Sequence, residues 1–378
     1  MTGALADVRV VDISPFLPGP FATQMLADLG ATVIKVEPPT GDPGRTVPGG
    51  LYEVANRNKA SITLDLKSAL DRERCHRLVA GADVFVEGFR PGVADRLGIS
   101  YDELSRINPA LVYCSVSGYG QHGPKRFTPG HDVTYLAASG ALAVPGSWSD
   151  PRPHRTGLPI ADLGTSAYVA VAVLAALRAR QRSGRGCRLD VAIADVALAM
   201  TATRAGERLD NSGEERLHLN PSNDLFDTAD GVVAVAAVEE HFWDRLRAEL
   251  TPYQPQLSDE RFDDLAGRRE HGEELSALLG AVFMSDTAKE WARVLGEADV
   301  PAEVVRPIAR VLDSDHVRDR GLVEARDGQR HVTFPVLCDA RPMGQLRTNA
   351  PIRGQHTYSV ITALDAGNDA WAAVSGGV

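Results

Sequence analysis

The chain has 378 residues, too many for one ordinary hydrophobic core, so two domains are expected. Hydrophobic residues make up 44% and charged residues 24%, the balance of a globular enzyme rather than a fibrous or disordered chain. A formal net charge of −10 and a pI near 5.5 argue against nucleic acid or an anionic membrane as the main partner, and still allow a local basic pocket for an anionic ligand.

Val8–Ile13 is a β-branched run and reads as a buried strand. Leu17-Pro18-Gly19-Pro20 breaks it. Phe21–Leu29 then carries apolar residues at helical spacing and stops at Gly30, a suitable C-terminal cap. Thr32–Glu37 is a second strand, ended by Pro38-Pro39. Strand, helix and strand in this order form a βαβ unit and imply a parallel sheet. No G-x-G-x-x-G follows the first strand, which argues against a dinucleotide site. Further strands are expected at Ser61–Leu66, Ala82–Glu87, Ala110–Ser117 and Leu189–Ile193, with helices at Ser68–Ala80, Thr134–Ala141, after Asp162 as far as Arg178, and Ala194–Arg204. Gly88-Phe89-Arg90-Pro91-Gly92 ends one strand at what should be a carboxyl edge, where open α/β sheets bind ligands. The uneven polar stretch 206–224 reads as a linker. A smaller domain follows over 225–325, with a turn and strand at Asp230–Ala236 and helices at Phe242–Leu250, Asp259–Leu265, Glu273–Phe283 and Ala288–Ala298. The large domain is expected over 1–205, with 326–378 returning to it.

Cys75, Cys114, Cys187 and Cys338 are scattered, with no CxxC pair, which fits a reduced cytoplasmic protein and predicts no metal site. The first residues lack the basic and apolar regions of a secretion signal. The longest apolar run, 167–177, is too short to cross a bilayer, so no membrane association is expected.

Leu17-Pro18-Gly19-Pro20-Phe21-Ala22, Leu26–Glu37, Asn58-Lys59, Ser61–Lys67, Gly88–Gly92, Asn108–Val112, Gly118-Tyr119-Gly120, Gly184-Arg185-Gly186, Glu290-Trp291 and Asp299–Ala302 occur in an order similar to that of the class III CoA-transferase superfamily. Within it, Gly130-His131-Asp132-Val133-Thr134-Tyr135 resembles the motif of the α-methylacyl-CoA racemase branch, whereas Leu163-Gly164-Thr165-Ser166 after Asp162 looks more like the transferases. The resemblance implies a Rossmann-like parallel-sheet domain, a smaller α+β domain and an interlocked homodimer. It implies His131, Asp162 and Glu239 as catalytic residues and Arg57, Lys59, Leu64, Lys67 and Arg90 as contacts to coenzyme A. Coenzyme A arrives as part of the substrate, so no permanently bound cofactor is expected.

The chemistry suits these residue types. A proton beside a thioester carbonyl is weakly acidic, and inverting that carbon requires a donor on one face and an acceptor on the other, roles open to an imidazole and a carboxylate. Racemisation of a 2-methylacyl-CoA through an enolate is therefore the leading expectation, with backbone N–H groups of the helix at Asp162 stabilising the oxyanion and Glu239 tuning His131. The alternative is transfer of coenzyme A, in which Asp162 is a nucleophile and no histidine is needed. A non-catalytic CoA-binding protein is a third reading.

Overall fold

The computed structural model describes residues 3–144, 146–148, 152–204 and 219–375. The chain divides into two compact units: Met1–Ser139, Thr156–Met200 and Ser314–Val378 form one, and Gly140–Arg155 with Thr201–Asp313 the other.

The first unit is built on β1 (Arg9–Asp12), β2 (Thr32–Glu37), β3 (Lys59–Thr63), β4 (Val84–Glu87), β5 (Val112–Ser117) and β6 (Cys187–Ala192). They form a 6-stranded sheet in the order β3-β2-β1-β4-β5-β6, every neighbouring pair parallel. The chain winds outward from β1 to β3, returns to β4 beside β1, and winds outward the other way. That doubly wound order leaves a crevice at the carboxyl ends of β1 and β4. Both faces of the central strands are covered: Val10, Val11, Val84, Phe85 and Val86 are fully buried. This double coverage is why these segments read as continuous apolar runs rather than alternating ones.

Four helices of this unit matter for the site: α1 (Pro18–Asp28), α2 (Ala69–Ala80), α3 (Asp132–Ala138) and α4 (Ile160–Ser183). Proline at the start of α1 costs no hydrogen bond, because the first N–H groups of a helix have no partner. The 24-residue α4 is longer than the apolar run read from the sequence, and it is the one helix among the described residues long and apolar enough to cross a membrane. One side of it, including Val169, Val173 and Leu177, is buried within the unit, where it packs against α1. It starts two residues before Asp162, with Pro159 as its cap residue, so Asp162 lies inside the first turn and not ahead of it.

The second unit is α+β. Its antiparallel sheet has the order β7 (Asn223–Asp227), β8 (Val232–Ala236), β9 (Ala302–Val304), packed on α5 (Glu240–Leu250), α6 (Gly272–Phe283) and α7 (Ala288–Glu297). Its core is aromatic: Phe226, Phe283 and Trp291 pack ring to ring, and Trp243 is fully buried. The helix expected at Asp259–Leu265 is instead a pair of 3-10 turns, Pro255–Ser258 and Glu260–Phe262, because Asp259 and Asp264 each fold back to accept a nearby backbone N–H. Most of the expected linker lies at 205–218, outside the described residues.

The tail holds α8 (Thr357–Asp365), which the sequence reading passed over. It packs on α2 and β3 and completes the core with Val360 and Leu364.

Candidate functional site

The carboxyl ends of β1–β4 enclose a cleft of about 290 Å³. Ser14 and Pro15 follow β1, Pro38 follows β2, Leu64 and Lys67 follow β3, and Phe89 follows β4, so each strand end contributes wall.

Beneath the cleft lies a buried ion network. Asp12 is fully buried between Lys59 Nζ at 3.0 Å and Lys35 Nζ at 3.8 Å. Burial alone would push the Asp12 carboxyl up, but the two ammonium groups hold it well below the usual range. Lys59 Nζ also donates to the Pro20 carbonyl and Asn56 Oδ1, both at 2.8 Å. Its burial brings it down to about 8 against the pull of Asp12. Lys35 pairs with Asp42 at 2.9 Å. At the end of β2, where dinucleotide folds place an acid for ribose hydroxyls, Glu37 is fully engaged: Arg45 grips it at 2.7 and 2.8 Å, and Tyr52 and Ser61 donate to it.

This geometry separates the residues expected to contact coenzyme A. Arg57 is buried and forms a bidentate pair with Asp28, at 3.0 and 2.6 Å. Arg57 and Lys59 thus spend their charges inside the unit. Leu64 and Lys67 face the cleft, Leu64 as buried wall and Lys67 with an exposed side chain. Arg90 is exposed and lines a separate cavity of about 30 Å³ with Glu87 and Arg188. Glu87 closes β4, accepts the Phe89 N–H at 2.7 Å, and is pushed up to about 7 by burial.

The second centre joins α3 to α4. His131 caps α3 with an exposed side chain, and Thr134 exchanges hydrogen bonds with its backbone. Next to it, Asp132 Oδ1 accepts the Asp162 backbone N–H at 3.2 Å, tying the two helix starts together. Asp162 is half-buried, and no hydrogen bond from a described residue reaches its side-chain oxygens. Burial first, and the Asp132 charge second, push its carboxyl up to about 7. Tyr135 is buried and meets Tyr119 edge-on at 5.4 Å; burial and the Asp162 charge push its phenol up to about 12. The glycines of this region make room for that ring. A Cβ on Gly118 would sit 2.5 Å from Tyr135 Oη, and one on Gly130 2.5 Å from Tyr135 Cε1.

Glu239 is the exposed cap residue of α5 in the second unit. Its neighbour Glu240 is held by the buried Arg268 through two 2.8 Å bonds. Among the described residues no cluster of His, Cys, Asp and Glu is arranged to hold a metal ion.

Sequence reasoning missed Asp132, Ser14 and Pro15, whereas Phe89 lies in the Gly88–Gly92 stretch expected at a ligand-binding carboxyl edge. The signal available for Ser14 and Pro15 was their place just after a strand of a parallel sheet. For Asp132 it was adjacency to His131.

The profile described as CoA-transferase family III matches residues 5–357. The chain is 35% identical to an acyl-CoA transferase of Fusarium pseudograminearum, over 96% of this chain and 85% of the relative. It is 34% identical to the succinyl-CoA–D-citramalate CoA-transferase of Chloroflexus aurantiacus, over 95% and 94%. It is also 33% identical to the acetyl-CoA:oxalate CoA-transferase of Acetobacter aceti, over 92% of each. The crystal structure of a CAIB/BAIF family protein from Brucella suis superposes with a TM-score of 0.85 at 30% identity, covering 97% of this chain and all of that one. With this profile, these relatives and the same fold, the chain belongs to CoA-transferase family III.

Proposed function

We propose that the protein moves coenzyme A from an acyl-CoA thioester to a second carboxylic acid, with Asp162 as nucleophile. The observation that carries this reading is the half-buried Asp162 carboxylate in the first turn of α4, free of hydrogen-bond donors among the described residues. A nucleophile must keep its lone pairs available, and a carboxylate pushed up to about 7 is more basic than an ordinary one. An Asp162 oxygen attacks the thioester carbonyl and the C–S bond breaks, giving a mixed anhydride and CoA thiolate. The thiolate then attacks the aspartyl carbonyl, releasing the donor acid and leaving an aspartyl-CoA thioester. The acceptor carboxylate attacks that thioester, and the freed thiolate finally takes the acceptor's acyl group and returns Asp162 as a carboxylate. The Ile160, Asp162 and Leu163 N–H groups at the start of α4 are already taken by Leu158, Asp132 and Pro159, so the helix start acts on developing oxyanions through its dipole rather than through those donors. The transferase names of the relatives, and the Leu163–Ser166 segment, favour this reading over racemisation.

Racemisation stays as the second reading for one reason: His131 and Asp162 stand at two helix starts joined by the Asp132 bond. The test is a panel of acyl-CoA donors, with succinate, oxalate, citramalate and glutarate as acceptors, in D₂O and followed by mass spectrometry. Transfer should appear in the wild type, vanish in Asp162→Asn and survive in His131→Ala. Deuterium entering the α-carbon without an acceptor, and lost in His131→Ala, overturns the transfer reading.

A further inference from the structure

Phe16 has an unusual backbone for an aromatic residue. Its φ is +63°, in the left-handed region that residues with a Cβ seldom adopt. Strain of this kind persists only where the surroundings over-determine it, and it gathers at ligand-binding sites.

The surroundings do over-determine it. The Phe16 N–H donates to Asp42 Oδ1 at 3.2 Å, and that aspartate is fixed by Lys35. The Lys35 ammonium donates to the Ser14 carbonyl two residues earlier. Ser14 is held in turn by Asp12, through its N–H at 2.9 Å and its hydroxyl at 2.6 Å. The buried ions under the cleft therefore lock the turn after β1.

What the lock presents is an apolar ring toward solvent. Phe16 is 39% exposed, and its ring meets the His131 ring edge-on with centroids 6.4 Å apart. Ser14 and Pro15, just before it, line the cleft, and Asp132, just after His131, binds the Asp162 N–H. Phe16 stands where the cleft gives way to the nucleophile.

We propose that Phe16 is a substrate-contacting residue, whose ring packs against the arm joining the nucleotide of a CoA thioester to its reacting carbonyl. This rests on the proposed use of a CoA thioester. A nucleotide seated in the cleft has to send its arm past this ring to bring a carbonyl to Asp162. An arm of amides and methylenes gains from an apolar wall fixed before it arrives.

The test compares 3′,5′-ADP, which lacks the arm, with coenzyme A by titration calorimetry on the full chain. In Phe16→Ala, the affinity for 3′,5′-ADP should stay within about twofold, while that for coenzyme A falls about tenfold, the size expected from losing one well-packed apolar contact. Phe16→Leu should recover most of the loss. Phe16→Gly relieves the positive φ, so it should melt above Phe16→Ala yet bind coenzyme A just as weakly. Equal losses for both ligands would make Phe16 a structural residue only and overturn the proposal, as would no loss for either. A wild type that binds coenzyme A without catalysing transfer or exchange refutes the proposed reaction and leaves this comparison decisive. A wild type that binds no CoA compound overturns both.

Discussion

Asp132→Asn isolates one cause of the raised Asp162 carboxyl. The asparagine oxygen can still accept the Asp162 N–H, so the 3.2 Å tie between the helix starts is kept while the charge goes. Burial and the Asp132 charge together lift Asp162 from 3.8 to about 7, and burial is the larger cause. The charge therefore accounts for less than half of the rise, and removing it should lower the carboxyl by about 1 pH unit. The reactive form of a nucleophilic carboxylate is the anion, so kcat/KM for transfer should fall on the acid side with a limb near 7 in the wild type. In Asp132→Asn that limb should move down by about 1 pH unit, raising kcat/KM at pH 5 by about tenfold, with a much smaller change at pH 8.5 where both forms are ionised. The assay is initial-rate transfer from succinyl-CoA to the best acceptor, measured from pH 5 to 9. A limb that stays in place or moves up would refute the electrostatic account. A uniform loss at every pH would show that Asp132 acts through position alone.

Asp162 should also cost stability where it is ionised. Its carboxyl is raised on folding, so the advantage of the folded state is full below about 3.8 and is lost as pH rises through about 7. Asp162→Asn should thus unfold later than wild type at pH 8, by up to about 4 kcal/mol, with the difference closing near pH 4; equal denaturant midpoints at pH 8 would contradict this. Two lysines should behave differently. Lys59→Met takes the nearer of two ammonium groups from the buried Asp12, leaving Lys35 at 3.8 Å, and should destabilise by up to about 3–5 kcal/mol in urea melts. Lys67→Ala should leave stability within about 0.5 kcal/mol while weakening coenzyme A binding, and the reverse pattern would exchange their roles.

The central strands were legible because they are parallel and covered on both faces, so they stand out as short apolar runs between breakers. β2 was placed to the residue. β3 was misplaced: the strand expected at Ser61–Leu66 runs instead from Lys59 to Thr63, and even the polar Ser61 is buried. The cause is distant, because Ser61 is covered by Glu37 on one side and Gly354 and His356 on the other. Arg57 and Lys59 are a similar case. The resemblance made both contacts to coenzyme A, but they sit at and just before the start of β3, and their partners Asp28 and Asp12 lie 29 and 47 positions away, beyond any local pattern. Asp162 and His131 could be singled out because each carries chemistry within a short motif. The tie between them runs through Asp132, whose backbone partner no motif records. Local order told more about the fold than about charge pairing, since burial of a charge is decided by which segments meet.

The covering of β3 also bears on how the molecule assembles. β3 is an edge strand, and its free side is closed by residues far along the chain: Asn58 donates to the Thr348 carbonyl, Ser61 exchanges bonds with His356, and Thr63 donates to Thr357. An open parallel edge is a template for foreign strands. Until the segment around 348–357 docks, the nascent sheet exposes that template together with the apolar seat of α8. The last stretch of the chain thus works as a built-in guard against aggregation. Contacts such as Ser61 to His356, spanning 295 positions, make its docking a late and slow event in folding.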